Sequence, residues 1–307
     1  VMELFTMGRG HYSESDIKEA ARAFTGWGFN LKGEFVFRPL LHDTGSKTIF
    51  GKTGNFDGDD VLDMLLEQKE TARYITQKIY RYFVNETADA DKVEKLSSRF
   101  YQSGYNISSL MEDIFTSDWF YNEKNMGTRI KSPVELIVSL QRMLPMQLEN
   151  EEVLLLLQQV LGQLLFYPPN VAGWPGGKAW IDSSSLMVRM RLPQLMSAND
   201  EWNVQPKTDD DQMGGRSEEE EMPMSSKKML DRIGRPIKAT IEWNSYTKHF
   251  EKTGREQLIS ALQNTLLQIK PSFSSAIINQ YTDNSSKENF MKSATIQIMS
   301  TPEYQMC

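Results

Sequence analysis

Apolar side chains recur at helical spacing along most of this chain, and that period constrains its fold more than any other feature. Ile17, Ala20, Ala21 and Phe24 fall at i, i+3, i+4 and i+7, the stripe of an amphipathic helix. They follow Ser13-Glu14-Ser15-Asp16, the spacing of a capping box, in which a hydroxyl and a carboxylate satisfy N–H groups that a first turn leaves unpaired. Comparable stripes are Val61, Leu62, Leu65 and Leu66; Ile75, Ile79, Tyr82 and Phe83; and Val93, Leu96 and Phe100. Asn106 can cap a further helix with Ile107, Leu110, Met111, Ile114 and Phe115 on one face. Ser132-Pro133-Val134-Glu135 marks the clearest start, with a capping hydroxyl, Pro at the first helical position and Glu at the third. That helix runs through Leu144 to Pro145, and another spans about Glu151 to Leu165. Near the end, Thr253-Gly254-Arg255-Glu256 has the capping-box spacing ahead of Leu258, Ile259, Leu262 and Leu266.

One stretch breaks the period. After Gly26, Trp27, Phe29 and Leu31 lead to a turn at Lys32-Gly33, and Phe35 and Phe37 follow in alternation. This is the pattern of two short paired strands, and the sequence offers no second convincing pair. The predicted class is therefore mainly α, a multi-helix globular bundle with one small β-hairpin near residues 27–38. With 307 residues, 39% of them hydrophobic, the chain can bury a sizeable core. A composition change divides it. Residues 1–202 read as a helical core domain and 229–307 as a C-terminal helical segment packing on that core. Between them, 203–228 carries Asp209-Asp210-Asp211, Gly214-Gly215 and Glu218 to Glu221, an acidic insertion with little apolar area to offset the cost of ordering it.

Charge and composition remove several function classes. The net charge of −7 and the absence of a Lys/Arg block interleaved with aromatics argue against nucleic acid or an anionic membrane as partner, since both are bound through concentrated positive charge. The longest apolar run, Val153 to Leu157, falls far short of the ~20 residues that span a bilayer. Cys307 is the one cysteine, so neither an internal disulfide nor a Cys metal cluster can form. The opening Val1-Met2-Glu3-Leu4-Phe5 reads as the tail of a helix begun earlier in a longer precursor.

Motif searches are mostly negative. Gly51-Lys52-Thr53 resembles the end of a phosphate-binding loop, but the earlier Gly is replaced by Ser46 and no buried strand precedes it. Asp57-Gly58-Asp59-Asp60 lacks the Gly of a calcium loop at its sixth position, which is Leu62; these carboxylates suit the first turn of the next helix. His11, His42 and His249 have no zinc-ligand spacing, and no Gly-x-Ser-x-Gly elbow exists. No cofactor or metal is expected. Ile114-Phe115-Thr116-Ser117-Asp118-Trp119-Phe120 is echoed by Ile298-Met299-Ser300-Thr301-Pro302-Glu303-Tyr304, each reading as a helix end whose last aromatic folds back on the core.

Two polar-aromatic segments remain as candidate sites. In Arg38 to Thr48, His42 and Asp43 are acid/base candidates, and Arg38 and Lys47, with Trp27 nearby in sequence, are candidate ligand contacts. The competing reading makes Asp43-Thr44 a turn and the cations surface ion partners. In Tyr167 to Trp180, prolines and glycines flank Trp174 and Trp180, whose faces could stack on a sugar or grip a peptide, with Asn170 as a polar contact. Here the competing reading has both Trp residues plugging the core and Asn170 satisfying loop backbone groups. Trp174 is expected to be largely buried, and His42 to lie near the Pro-Pro-Asn loop, because polar, aromatic and restricted groups tend to gather at one site.

Met2-Glu3-Leu4-Phe5-Thr6-Met7-Gly8, Tyr12-Ser13-Glu14, Ala20-Ala21-Arg22-Ala23-Phe24-Thr25-Gly26-Trp27, His42-Asp43 with Lys47-Thr48 and Gly51, Pro168-Pro169-Asn170-Val171 and Gly173-Trp174-Pro175-Gly176-Gly177 resemble the bacterial domain of unknown function 1800 family. The similarity spans most of residues 1–200 and returns at Ser300 to Tyr304. It implies an exported protein, extracytoplasmic in the periplasm or cell envelope. It also points to a sulfatase-like protein of the domain of unknown function 1501 family as a possible partner. It implies no reaction. The functional expectation is a binding or assembly component for an envelope or secreted partner or a glycan. The alternative is a hydrolase-type enzyme acting on a polymer or ester, with His42 and Asp43 beside a wall formed by Trp174 and Trp180.

Overall fold

The helical period is realised wherever a cap can close the first turn. In the computed structural model, which describes residues 1–198 and 237–307, Ser13 caps α1 (Glu14–Ala23), its hydroxyl accepting from Asp16 N at 3.1 Å while Asp16 accepts from Ser13 N at 2.8 Å. Asp57 and Asp60 form the same reciprocal pair at the start of α2 (Gly58–Glu67), so these carboxylates serve a helix end. Asp89 caps α4 (Ala90–Gln102), and Asn106 caps α5 (Ile107–Phe115) with 3.1 Å to Ser109 N. The acidic insertion expected at 203–228 lies outside the described residues.

Contacts divide the chain into two units, Val1–Asn125 and Met126–Cys307. In the first, α1 and α2 enclose a small core of Ala20, Ala23, Ile49, Val61, Met64 and Leu65. A second cluster joins α3 (Lys69–Phe83) to α4 and α5 through Ala72, Tyr80, Val93, Phe100, Leu110 and Ile114. The buried face of α3 differs from the expected stripe. Thr71, Ala72, Thr76 and Tyr80 are buried, whereas Tyr82 and Phe83 are exposed and Ile75 and Ile79 half-buried. Small residues let α4 approach closely, and the larger side chains are left at the margin. On α2, Leu62 and Leu66 of the expected stripe are likewise exposed.

The expected hairpin is present: β1 (Trp27–Phe29) pairs antiparallel with β2 (Phe35–Phe37), with Phe29 opposite Phe35. It is not the sole strand pair. β3 (Lys47–Ile49) pairs with β4 (Lys52–Gly54) across Phe50-Gly51, where φ is 49° and 77°, the conformation of a two-residue hairpin turn. The Gly51-Lys52-Thr53 motif is therefore a hairpin turn and strand.

The second unit gathers α6 (Pro133–Met143), α7 (Glu152–Leu161), α8 (Ser183–Ala198), α9 (Trp243–Lys248), α10 (Leu258–Leu266), α11 (Ser275–Gln280) and α12 (Lys287–Met299). Leu136, Leu140, Leu157, Leu192, Leu262, Ala294 and Ile298 meet in one core, so the C-terminal helices pack on α6 to α8. β5 (Met146–Leu148) pairs with β6 (Ala239–Ile241). α6 starts at Ser132-Pro133 with Glu135 completing the box. α7 stops at Leu161, short of Leu165, because Gly162 at φ 87° ends it left-handed. The capping box expected at Thr253 does not form. Gly254 leads into a 3-10 turn, Arg255–Gln257, and Arg255 instead binds Asn284 at 2.6 Å and lies over the Phe290 ring. The sequence echo is structural. α5 ends in a 3-10 turn, Asp118–Tyr121, where Phe120, the counterpart of Tyr304, packs half-buried against the core beside Trp119, which stacks on Tyr80 at 5.9 Å, and α12 ends in the turn Pro302–Gln305, which buries Tyr304.

Two cations are sealed beneath that second turn. Lys131, 7% exposed, donates to Tyr304 O at 2.7 Å, and the fully buried Arg189 donates to Lys131 O and, at 3.1 Å, to Gln305 Oε1. Burial pulls Lys131 down from 10.5 to about 8. Below that pH the folded state carries the full cost of a desolvated ammonium. Between pH 8 and 10.5 it releases the proton before the unfolded chain does, so stability from this group rises with pH. Cys307, whose thiol burial pushes up, acts in the opposite direction. In a Cys307→Ser background, the melting midpoint followed by circular dichroism should climb as pH rises from 8. Lys131→Met should flatten that slope, and equal slopes would show that the lysine stays charged.

Candidate functional site

α1 ends at Ala23, and the residues after it hold the first candidate segment. The Thr25 hydroxyl donates to Arg22 O at 2.6 Å and accepts the Asp43 N–H at 2.7 Å. His42 Nδ1 lies 2.9 Å from Thr25 O. A carbonyl only accepts, so Nδ1 carries the hydrogen and Nε2 is left as the free acceptor. The ring meets Phe37 edge-on at 5.6 Å. Gly26, at φ 83°, passes so close to the next turn that a Cβ there would stand 2.8 Å from Arg38 O, which restricts this position to glycine.

Asp43 is committed to the fold. Arg22 Nε and Nη2 reach its two carboxylate oxygens at 2.7 and 3.1 Å, and Gly45 N donates to it at 2.8 Å. The Arg22 hydrogen bonds and the Gly45 amide hold its pKa at about 2, which makes it a weak proton acceptor at neutral pH. Lys47 is buried. Its ammonium donates to Asp43 O at 2.5 Å and Gly45 O at 3.1 Å, with Asn55 Oδ1 at 3.5 Å. It therefore closes the loop from inside. Arg38 reaches back to Phe29 O at 3.4 Å over Gly28. Trp27 packs edge-on against Phe24 and Phe35, both at 5.1 Å, and sits on Gly58, where a Cβ would come within 2.4 Å of the indole.

The side chains left over face water, and the sequence pattern did not reveal them. Phe29 is 74% exposed, Phe35 64% and Leu40 99%, with Leu31 and Leu41 also outside. Strands of three residues with no further strand beside them cannot cover these side chains. The visible signal was the shortness of the strands.

The second segment belongs to the other unit. Asn170 is exposed, and its Oδ1 accepts from Ala172 N at 2.8 Å while its carbonyl accepts from Gly173 N at 3.0 Å, so it closes its own turn. Trp174, expected to be largely buried, is half-buried. The turn is shaped by its own hydrogen bonds, and the helices below do not enclose it. Trp180 is 7% exposed, and Ser185 Oγ donates to its carbonyl at 3.0 Å. Phe166, Tyr167 and Val171 are exposed. Among the described residues, no group of three His, Cys, Asp or Glu side chains could hold a metal ion, and no helix is long and apolar enough to cross a membrane.

The family model described as "Protein of unknown function (DUF1800)" matches residues 1–306, and the chain belongs to that family. No curated protein and no solved structure matches it.

Two substitutions separate the structural role of the first segment from a chemical one. Lys47→Met leaves the half-buried carbonyls of Asp43 and Gly45 without their donor and should lower stability by about 1 kcal/mol in chemical denaturation. Asp43 is depressed in the folded state, so its stabilisation is present above 3.8 and is lost as pH falls toward 2. Asp43→Asn should therefore melt lower than wild type at neutral pH, with the gap closing across that acid window. A gap that persists to the bottom of the window would mean the charge is not what Asp43 contributes.

Proposed function

We propose that this DUF1800 family member is an extracytoplasmic binding or assembly component that docks a secreted or envelope protein through the hairpin rim of Phe29, Leu31, Phe35, Leu40 and Leu41. The observation that carries the reading is the outward placement of these side chains on a hairpin whose base is pinned by Trp27, Thr25 and Asp43. Apolar groups grouped at the surface cost solvation in the free protein and recover it on contact with an apolar partner surface. A pinned base means little ordering cost falls due on binding. The extracytoplasmic site of action follows from the family resemblance, as does a sulfatase-like protein of the domain of unknown function 1501 family as the partner to test first.

The hydrolase alternative rests on His42, whose anchored Nδ1 leaves Nε2 free, an arrangement suited to accepting a proton. It is weaker. Asp43 is engaged by Arg22, and Trp180 has little face to offer a substrate. Full-length protein isolated from its native envelope should bring down one protein in stoichiometric amount. Phe29→Ser with Leu40→Ser should abolish that capture with no change in the circular-dichroism melt. Retention of the partner by the double variant would sink the rim as the docking site. Ester or glycan turnover abolished by His42→Ala would replace the reading with the hydrolase.

A further inference from the structure

A pocket of 190 Å³ opens on the first unit between α3, the start of α4 and the turn that follows Met7. Its residues come from three places in the sequence. Gly8 and Gly10, at φ 72° and 89°, turn the chain so that His11 reaches the rim. Glu70, Arg73, Tyr74 and Gln77 line it from α3, and Ala88, Ala90 and Val93 form the apolar side.

The pocket wall is fixed while its polar groups are left over. Tyr74 is held by its hydroxyl, which donates to Leu4 O at 3.1 Å, and by Gly8, where an added Cβ would stand 3.0 Å from the ring. Lys78 lies over the same ring at 4.7 Å and also donates to Leu4 O, at 2.9 Å. By contrast, among the described residues the side chains of His11, Glu70 and Gln77 form no hydrogen bond, while Arg73 makes a long, exposed ion pair with Glu94 at 3.8 Å. An imidazole, a carboxylate and an amide without partners, beside a loosely paired guanidinium, thus converge on one concavity with an apolar side, which is the composition of a small-molecule site.

The chemistry narrows the ligand. Glu70 repels an anion, and Arg73 opposes a bare cation, so a neutral molecule fits best. Donors and acceptors are both offered, which suits hydroxyl groups that do both. At about 190 Å³ the cavity lies below the ~300–1,000 Å³ of pockets that hold drug-sized ligands, which suits a ligand of about one ring. Ala88, Ala90 and Val93 can cover the C–H face of such a ring. We infer that this pocket binds a single neutral sugar residue, the end of a glycan or a free monosaccharide, through Glu70, Arg73, Gln77 and His11. The site shares no residue with the hairpin rim and does not depend on protein docking there.

Saturation-transfer difference NMR on the full chain tests this with three probes, methyl β-glucopyranoside, methyl β-galactopyranoside and N-acetylglucosamine, and with inorganic phosphate and glycine as charged controls. Ring protons of at least one sugar should receive saturation, and neither charged control should compete. Ala90→Trp fills the pocket from an exposed position at the first turn of α4, and Glu70→Gln with Gln77→Ala removes the polar contacts without adding bulk. Each should weaken the sugar by at least about tenfold, with melting midpoints matching wild type. Glucose and galactose, added as the free partners of the two glycosides, separate the sources: a free monosaccharide as the natural ligand would give equal affinity for the free sugar and its methyl glycoside, and a glycan end would favour the glycoside. The site is refuted if no sugar receives saturation from the wild-type chain. Unchanged binding in both variants, or displacement by phosphate, would equally overturn it.

Discussion

The first unit depends on satisfying the backbone of an irregular stretch that has little apolar area of its own. Residues 38 to 46 contain no strand or α-helix, and backbone amides and carbonyls shut away from water must find partners. Four side chains provide them: the Thr25 hydroxyl, the Asp43 carboxylate, the buried Lys47 ammonium and the Arg22 guanidinium at Ser46 O. Arg22 ties this set to α1 through Asp43, Glu19 and Ser46. Both short hairpins project from that polar knot, so the aromatic rim is aimed by hydrogen bonds beneath it.

The same economy governs the second unit. Among the described residues no carboxylate bonds to buried Arg189 or Lys131, which are held instead by Tyr304 O, Lys131 O and Gln305 Oε1. Buried cations so arranged are costly and seldom add stability. What they provide is position, fixing the final turn after α12 against the approach to α6. The first unit solves the equivalent problem after α5 with Trp119 stacked on Tyr80 and Lys92 5.4 Å over the indole. Two helix ends with the same sequence rhythm are thus closed by aromatics near a lysine.

These uses alter how polar residues should be weighed for function. His42, Asp43 and Lys47 form an adjacent polar group of the sort that suggests catalysis, yet Asp43 and Lys47 are consumed locally and His42 is anchored through one nitrogen. Asn170 spends its side chain on its own turn. The groups that remain free are apolar on the hairpin rim and polar in the pocket beside α3. Neither stood out in the sequence. Phe29 and Phe35 had the alternation of paired strands, and Glu70, Arg73 and Gln77 looked like the solvated side of an ordinary helix.

Local order was therefore readable and its consequences were not. The caps at Ser13, Asp57, Asn106 and Ser132 and the strands flanking Lys32-Gly33 depend on interactions within a few residues, so the sequence alone determined where those elements begin and that the chain is mainly helical. The tertiary structure decided the rest. Which face of α3 is buried was settled by how closely α4 approaches Ala72 and Thr76. The pairing of β5 with β6 joins strands with α7 and α8 between them in sequence, and beside the unformed capping box Arg255 is held by Asn284 and the Phe290 ring. The pocket exists because a glycine turn places His11 beside α3. Each of these outcomes is set by contact between segments distant in sequence, where the free energy comes from packing and desolvation that no local pattern encodes.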